Sequence, residues 1–192
     1  MVYQRSGAYN RGELLERGGR DVESRAKLFG HPIHPILIPF PLGLLVTSFI
    51  FDMIYLITDN DAFSVAAFWM IAAGVIGGLA AAVFGIIDFS RVPDDTRAHS
   101  IGVWHAVLSV SMVVLFAVSW LLRLGEPAEP GFLPIIFSLV GAGLAGLTGW
   151  FGGELVGRLG VGVHKDAHLD APSSLSGRAA SESSPDRRTR RA

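Results

Sequence analysis

The side chains best suited to chemistry in this sequence are histidines placed at or inside apolar segments. His31 and His34 stand three residues apart in the stretch GHPIHPILIPFPLG, and a proline follows each of them. His105 lies within the apolar run GVWHAVLSVSMVVLF. Imidazole nitrogens ligate transition metals and haem iron, and they exchange protons near neutral pH. This pattern indicates a metal site, a haem site or a proton relay.

Two carboxylates extend the metal hypothesis. Asp88 and Glu154 lie near the ends of the second and fourth apolar segments. The chain contains no cysteine, which excludes disulfides, thiolate zinc sites and iron–sulfur ligation by this chain. Histidine and carboxylate then suit zinc or non-haem iron, although no HExxH motif is present. The expected ligands of a divalent metal are His31, His34, His105, Asp88 and Glu154.

A b-type haem is the second interpretation of the same residues. His105 with either His34 or His31 could supply the axial pair, since membrane bundles hold haem between facing helices. Arg97, or Arg91, could meet the haem propionates. The expected cofactor-binding residues are His31, His34, His105 and Arg97.

Four long apolar segments must position these residues. Half of the residues are hydrophobic and 17% are charged, which is unusual for a soluble domain. About 20 apolar residues cross the hydrocarbon core, and short polar breaks force neighbouring spans to run antiparallel. We predict an all-α integral membrane protein, a four-helix up-down-up-down bundle, with spans at Ile36–Ile57, Phe63–Ile87, Ile101–Leu122 and Leu133–Val156.

The two ends of the chain differ from the bundle in composition. Residues 1–30 are polar, with Glu13–Arg17, Asp21–Arg25 and Glu23–Lys27 at helical spacing, and we expect this segment to be partly helical. Residues 31–164 form the four-span domain. Residues 165–192 are rich in Ser, Ala and Arg, and we expect a disordered tail.

The distribution of Lys and Arg predicts the orientation. Basic residues are frequent before the first span, in the second break and after the fourth span, and they are scarce in the other two breaks. The positive-inside rule then places both termini in the cytoplasm of a multi-pass protein of the inner or plasma membrane. No apolar signal-peptide region precedes the first span. The histidines and both carboxylates of the predicted sites converge on the cytoplasmic mouth of the bundle.

The prolines predict the local backbone of the first motif. A residue before proline disfavours the helical conformation. We therefore expect His31 and His34 to be extended, and the regular helix to begin at about Pro39, where proline is tolerated in a first turn.

Packing and charge pairing can also be anticipated. Small residues four apart, at Gly74, Gly78 and Ala82 and at Gly141, Ala145, Gly149 and Gly153, predict a tight contact between the second and fourth spans. Gly149→Leu should then be destabilising. A homodimer formed through one groove is the alternative. Asp52 and Arg123 lie near the opposite face and are expected to form a structural pair.

The first motif is similar to one that belongs to a known family. GHPIHPILIPFPLGL resembles the GHPxHPxLxxFPxGL opening of a bacterial four-helix membrane family of unknown function. The resemblance extends through GIIDFSRVPDDTRAHSIGVWHAVLS to GLTGWFGGELVGRLGVGV. It implies the four-span fold and membrane location. Some relatives are joined to Rieske-type iron–sulfur domains, which implies a link to electron transfer.

Four functions remain open at this point. A redox subunit with haem or a metal is preferred, and a redox partner protein is then expected beside the lipid bilayer. The alternatives are a non-haem metal-dependent membrane enzyme, a proton or ion transporter, and a structural or assembly protein without a cofactor. An enzyme is the less favoured class. The net charge of −1 gives no reason to expect nucleic acid as a partner.

Overall fold

The structure, a computed structural model, describes residues 22–183. Its main elements are five helices and one small hairpin: β1 (Lys27–Leu28), β2 (His31–Pro32), α1 (Ile33–Leu37), α2 (Pro39–Thr58), α3 (Asp61–Phe89), α4 (Arg97–Leu122) and α5 (Phe132–Gly157). Helices α1 and α2 together form the first of four stretches long and apolar enough to cross a membrane, and α3, α4 and α5 are the others. The predicted all-α fold with four spans is confirmed.

The start of the first span differs from its prediction. His31 is extended, as expected, but His34 is helical, because α1 begins at Ile33. Pro35 is the third residue of α1, where its missing N–H costs nothing since first-turn amides have no partner within the helix. The amide of Ile38 then donates to the carbonyl of His34 at 3.2 Å, which carries the helical path towards Pro39.

The chain just before the first span forms a hairpin, and most of the segment predicted to be partly helical, residues 1–21, lies outside the described residues. Strands β1 and β2 are antiparallel, and Lys27 pairs with Pro32. Phe29 and Gly30 form the turn with φ values of 51° and 86°. Glu23 and Lys27 do form an ion pair at 2.6 Å. The pairs Glu13–Arg17 and Asp21–Arg25 involve residues outside the described range.

The helices are arranged as a ring in which α2 packs on α3, α3 on α4, α4 on α5, and α5 on α2. The apolar core combines all four spans and is formed by Leu45, Ile71, Met112, Phe116 and Ala145. We name the end of the bundle that holds Ile33, Phe89, Arg97 and Gly157 the histidine end. The predicted tight contact between the second and fourth spans is wrong, because α3 and α5 stand diagonally across the ring.

The glycines admit side chains from neighbouring spans instead. A Cβ placed on Gly74 would lie 2.6 Å from Leu45 Cδ2, so this glycine makes room for the first span. A Cβ on Gly141 would lie 2.8 Å from Phe116 Cε2, so the fourth span contacts the third here. Gly149 has no atom within 4 Å of such a Cβ. The expectation that Gly149 lies in a helix contact is therefore also wrong.

We expect Gly141→Leu to destabilise the bundle by about 1–3 kcal/mol, because overpacking a closed contact displaces its neighbours. Phe116 is fully buried within the apolar core, so its ring is enclosed by other side chains. Thermal unfolding in detergent measures the effect. Gly149→Leu is the matched control on the same helix and should leave the melting temperature unchanged; equal losses from both substitutions would contradict the observed packing.

The predicted Asp52–Arg123 pair is confirmed at the opposite end of the bundle. Arg123 Nη1 and Nη2 donate to the two oxygens of Asp52 at 2.7 and 2.8 Å. Both side chains are fully buried. Ser138 Oγ accepts from Arg123 Nη2 at 3.1 Å, and Ser119 Oγ accepts from its Nε at 3.3 Å. The network joins the first, third and fourth spans and leaves the guanidinium well satisfied.

Candidate functional site

A pair of histidines from the first and third spans meets inside the histidine end. The rings of His34 and His105 have their centroids 6.5 Å apart and their planes nearly perpendicular, at 88°. Each ring is partly buried. The structure therefore brings together two of the three predicted histidines.

Each imidazole is held by a backbone carbonyl of a further span. His34 Nδ1 lies 2.8 Å from the carbonyl oxygen of Ala81 in α3. His105 Nδ1 lies 3.1 Å from the carbonyl oxygen of Thr148 in α5. A carbonyl can only accept, so each Nδ1 carries the hydrogen in the neutral ring, and the lone pair is on Nε2. The two rings and their carbonyls thus connect all four spans.

Two glycines make room for the rings. A Cβ on Gly85 would lie 2.8 Å from Cε1 of His34, and a Cβ on Gly152 would lie 3.3 Å from Cε1 of His105. A larger residue at position 85 would push the His34 ring away from its carbonyl. Each imidazole therefore packs against a neighbouring helix at a residue that has no side chain.

Thr148 carries an unsatisfied polar atom at this level of the bundle. Its hydroxyl Oγ1 is buried and has no hydrogen-bond partner within the described chain. The residue is only 8% exposed. Buried hydroxyls usually have a hydrogen-bond partner. The unsatisfied Oγ1 therefore indicates a position for a water molecule or a ligand group beside Thr148.

The predicted carboxylates lie elsewhere. Asp88 Oδ1 accepts the amides of Arg25 and Ala26 at 2.9 and 3.2 Å, and Ser24 Oγ lies 2.7 Å from both oxygens of Asp88. Glu154 pairs with Arg97 at 2.7 Å. Asp88 thus binds the segment before the hairpin, and Arg97 meets a carboxylate. Neither carboxylate is hydrogen-bonded to His34 or His105, whose Nδ1 atoms lie next to backbone carbonyls instead.

The remaining histidines also have partners of their own. His31 Nε2 lies 3.2 Å from Ser174 Oγ on the exposed surface. His99 stacks on Phe89 with a centroid distance of 4.9 Å. His164 Nε2 lies 3.6 Å from Oε1 of Glu23, whose pKa is lowered chiefly by its hydrogen bond from Lys27. Across residues 22–183 there is no group of three or more His, Asp or Glu side chains that could hold a metal ion.

Sequence reasoning missed the residues that hold the pair. Ala81 and Thr148 hold the rings through their backbone carbonyls. Every residue has such a carbonyl, so the sequence does not show which of them accepts a hydrogen bond. Gly85 and Gly152 were visible only as members of glycine-rich helices. A surface groove of about 350 Å³ on α5 is lined by Gly149, Trp150, Gly153 and Glu154, and neither histidine of the pair lines it.

The chain matches the model of a known protein family. The family described as "Predicted membrane protein (DUF2231)" matches residues 30–165, more than half of the chain. The matched range contains both histidines of the pair and the residues that hold them. No curated protein and no solved structure matches the chain.

Proposed function

We propose that this chain, which belongs to the DUF2231 family of predicted membrane proteins, is a membrane-embedded redox protein. In this proposal, His34 and His105 would hold a b-type haem. The observation that carries the proposal is the paired arrangement of the rings. Both use Nδ1 to donate to a carbonyl, and both keep the Nε2 lone pair for a ligand. This is the usual second hydrogen bond of metal-bound histidine.

The separation of the rings fits two ligands of one metal atom. Imidazole nitrogens bind transition metals at about 2.0–2.1 Å, so two rings that face one another through a shared metal have centroids about 6 Å apart. The observed separation is 6.5 Å. A haem needs only two protein ligands because the porphyrin supplies four nitrogens, and when bound it would supply one-electron chemistry. The chain's own residues fix the two imidazoles and hold them within the apolar bundle.

A single transition-metal ion is the second candidate, and the same separation favours it. The ring separation of 6.5 Å suits one metal atom between the two imidazoles whether or not a porphyrin surrounds that atom. Both candidates would use His34 and His105 as ligands. They can be distinguished because haem absorbs visible light strongly.

The proposal includes the orientation of the protein. Basic residues at the histidine end include Arg25, Lys27, Arg91, Arg97, Arg158 and Lys165. The counterpart at the other end, Arg123, is neutralised by its buried ion pair with Asp52. This asymmetry favours cytoplasmic termini in an inner or plasma membrane. The histidine pair would then receive or pass electrons near the cytoplasmic surface, with a redox protein as partner.

The test is purification from native membranes, followed by an oxidised-minus-reduced absorption spectrum and elemental analysis. Haem would give difference bands in stoichiometric amount, and a bare metal would appear only in the elemental analysis. His34→Ala and His105→Ala should each remove most of the bound group, because one axial ligand is lost. His168→Ala, in the segment after the bundle, should retain it.

A conservative variant separates ligation from folding. In the His105→Gln variant, the side-chain amide of glutamine can still donate a hydrogen bond to the carbonyl of Thr148. This variant should therefore keep the fold but lose the bound group. Parent protein that carries neither haem nor stoichiometric metal would overturn the proposal. A His105→Gln variant that retains full occupancy would overturn the ligand assignment.

A further inference from the structure

The tip of the hairpin presents apolar side chains outward just before the first span. Leu28 is 52% exposed and Phe29 is 73% exposed. Phe29 adopts a left-handed backbone conformation at φ 51°, which is uncommon for a bulky residue. The turn therefore displays an aromatic ring at a position where a polar residue or glycine would satisfy the backbone more easily.

This apolar tip is continuous with the lipid-facing surface of the bundle. The hairpin passes directly from Pro32 into α1. On the helices that follow, Ile36 is 54% exposed and Phe40 is 57% exposed. In a membrane protein such side chains face lipid, so the tip lies at the level where the first span enters the bilayer.

Charge on the same segment complements anionic lipid. Lys27 is bound to Glu23, but Arg25 is exposed, and within residues 22–183 its guanidinium has no hydrogen-bonded or charged partner. The backbone amide of Arg25 is fixed by Asp88. A fixed basic residue beside exposed apolar side chains is the combination that binds the headgroup region of membranes.

We propose that the hairpin of residues 27–32 is an interfacial membrane anchor, with Phe29 inserted below the lipid headgroups and Arg25 bound to an anionic headgroup. The contact would fix the depth and rotation of the first span, and with them the position of His34. The anchor is independent of the proposed cofactor, because it rests on surface residues that do not touch the histidine pair.

The absence of cysteine from the chain allows a direct depth measurement. A nitroxide spin label is attached to the cysteine of the full-length Phe29→Cys variant. The labelled protein is then reconstituted in vesicles of phosphatidylcholine with or without phosphatidylglycerol. Collision rates with oxygen, which concentrates in the bilayer, and with a water-soluble nickel chelate then report depth. Ile36→Cys is the lipid-facing reference. Leu169→Cys, at a fully exposed leucine after the bundle, is the aqueous reference.

We expect the ratio of oxygen to nickel accessibility at position 29 to be several-fold higher than at position 169 and to approach that at position 36. The label should lie deeper in vesicles with anionic lipid, and Arg25→Gln should remove that difference. A ratio equal to that at position 169 would overturn the proposal. A label shielded from both reagents would also overturn it, because a second copy or another part of the chain would then cover the tip.

Discussion

Arg123→Met is expected to destabilise the bundle by about 3–5 kcal/mol, because among the described ion pairs this one is fully buried. The substitution leaves the Asp52 carboxylate fully buried without its counter-ion. It also removes the N–H groups that donate hydrogen bonds to the hydroxyl oxygens of Ser119 and Ser138. Chemical or thermal unfolding in detergent, followed by circular dichroism, measures the loss.

Two controls isolate burial as the cause. Arg97 and Glu154 form a pair of the same length, 2.7 Å, but their side chains are 58% and 18% exposed. Arg97→Met should therefore cost no more than about 1 kcal/mol. The double variant Asp52→Leu/Arg123→Met removes both charges and should recover much of the stability, since apolar pairs often replace buried ion pairs without loss. A double variant as unstable as Arg123→Met would contradict this account.

The sequence was sufficient to predict this ion pair because the prediction depends only on topology. Apolar segments of about 20 residues define the spans, and short breaks make them antiparallel. Asp52 near the end of the first span and Arg123 at the end of the third must then lie at the same end of the bundle. Two opposite charges in that apolar environment have a strong reason to pair.

Helix rotation explains why the glycine prediction failed. Residues four apart on an α-helix are rotated by about 40° relative to each other, since one turn takes 3.6 residues. From Gly141 to Gly149 this drift reaches about 80°. Gly141 therefore faces Phe116 while Gly149 leaves the interface. The spacing of small residues indicated which helices approach closely, but it did not determine their partners.

The histidine site was only partly predictable for a related reason. Topology placed His34 and His105 at one end, and they do meet. The groups that hold them are carbonyls of Ala81 and Thr148, whose selection depends on the rotation of each helix rather than on residue type. The sequence placed Asp88 at the same end as the histidines, but its partners lie in the polar segment before the first span, whose path the sequence did not predict. A carboxylate at a helix end can contact a histidine or accept hydrogen bonds from a neighbouring segment of the chain. The path of that segment determines which of the two occurs.

Asp88→Ala is expected to release the segment that leads into the hairpin. Asp88 Oδ1 accepts the amides of Arg25 and Ala26, and its carboxylate also binds Ser24 Oγ. A hydrogen bond to a charged group contributes about 1.5–3 kcal/mol, so losing even one of them should raise the open fraction of this segment at least about 10-fold. Trypsin cleavage after Arg25 and Lys27, quantified by mass spectrometry of the protein in detergent, should accelerate by a similar factor, because cleavage follows the population of the open form.

Two variants distinguish the role of the carboxylate from a general loss of stability. Asp88→Asn keeps one oxygen acceptor without the charge and should give an intermediate rate. Asp94→Ala changes an almost fully exposed carboxylate on the connection that follows the helix of Asp88, and it should leave the rate unchanged. The melting temperature of the bundle should change little in all three, since the hydrogen bonds of Asp88 and the side chain of Asp94 lie outside the apolar core. If Asp88→Ala is cleaved no faster than the parent, the hairpin must be held by its other interactions: the strand pairing, the amide of Gly162 on the carbonyl of Val22, and Ser174 beside His31. That result would remove Asp88 as the residue that fixes the entry of the first span.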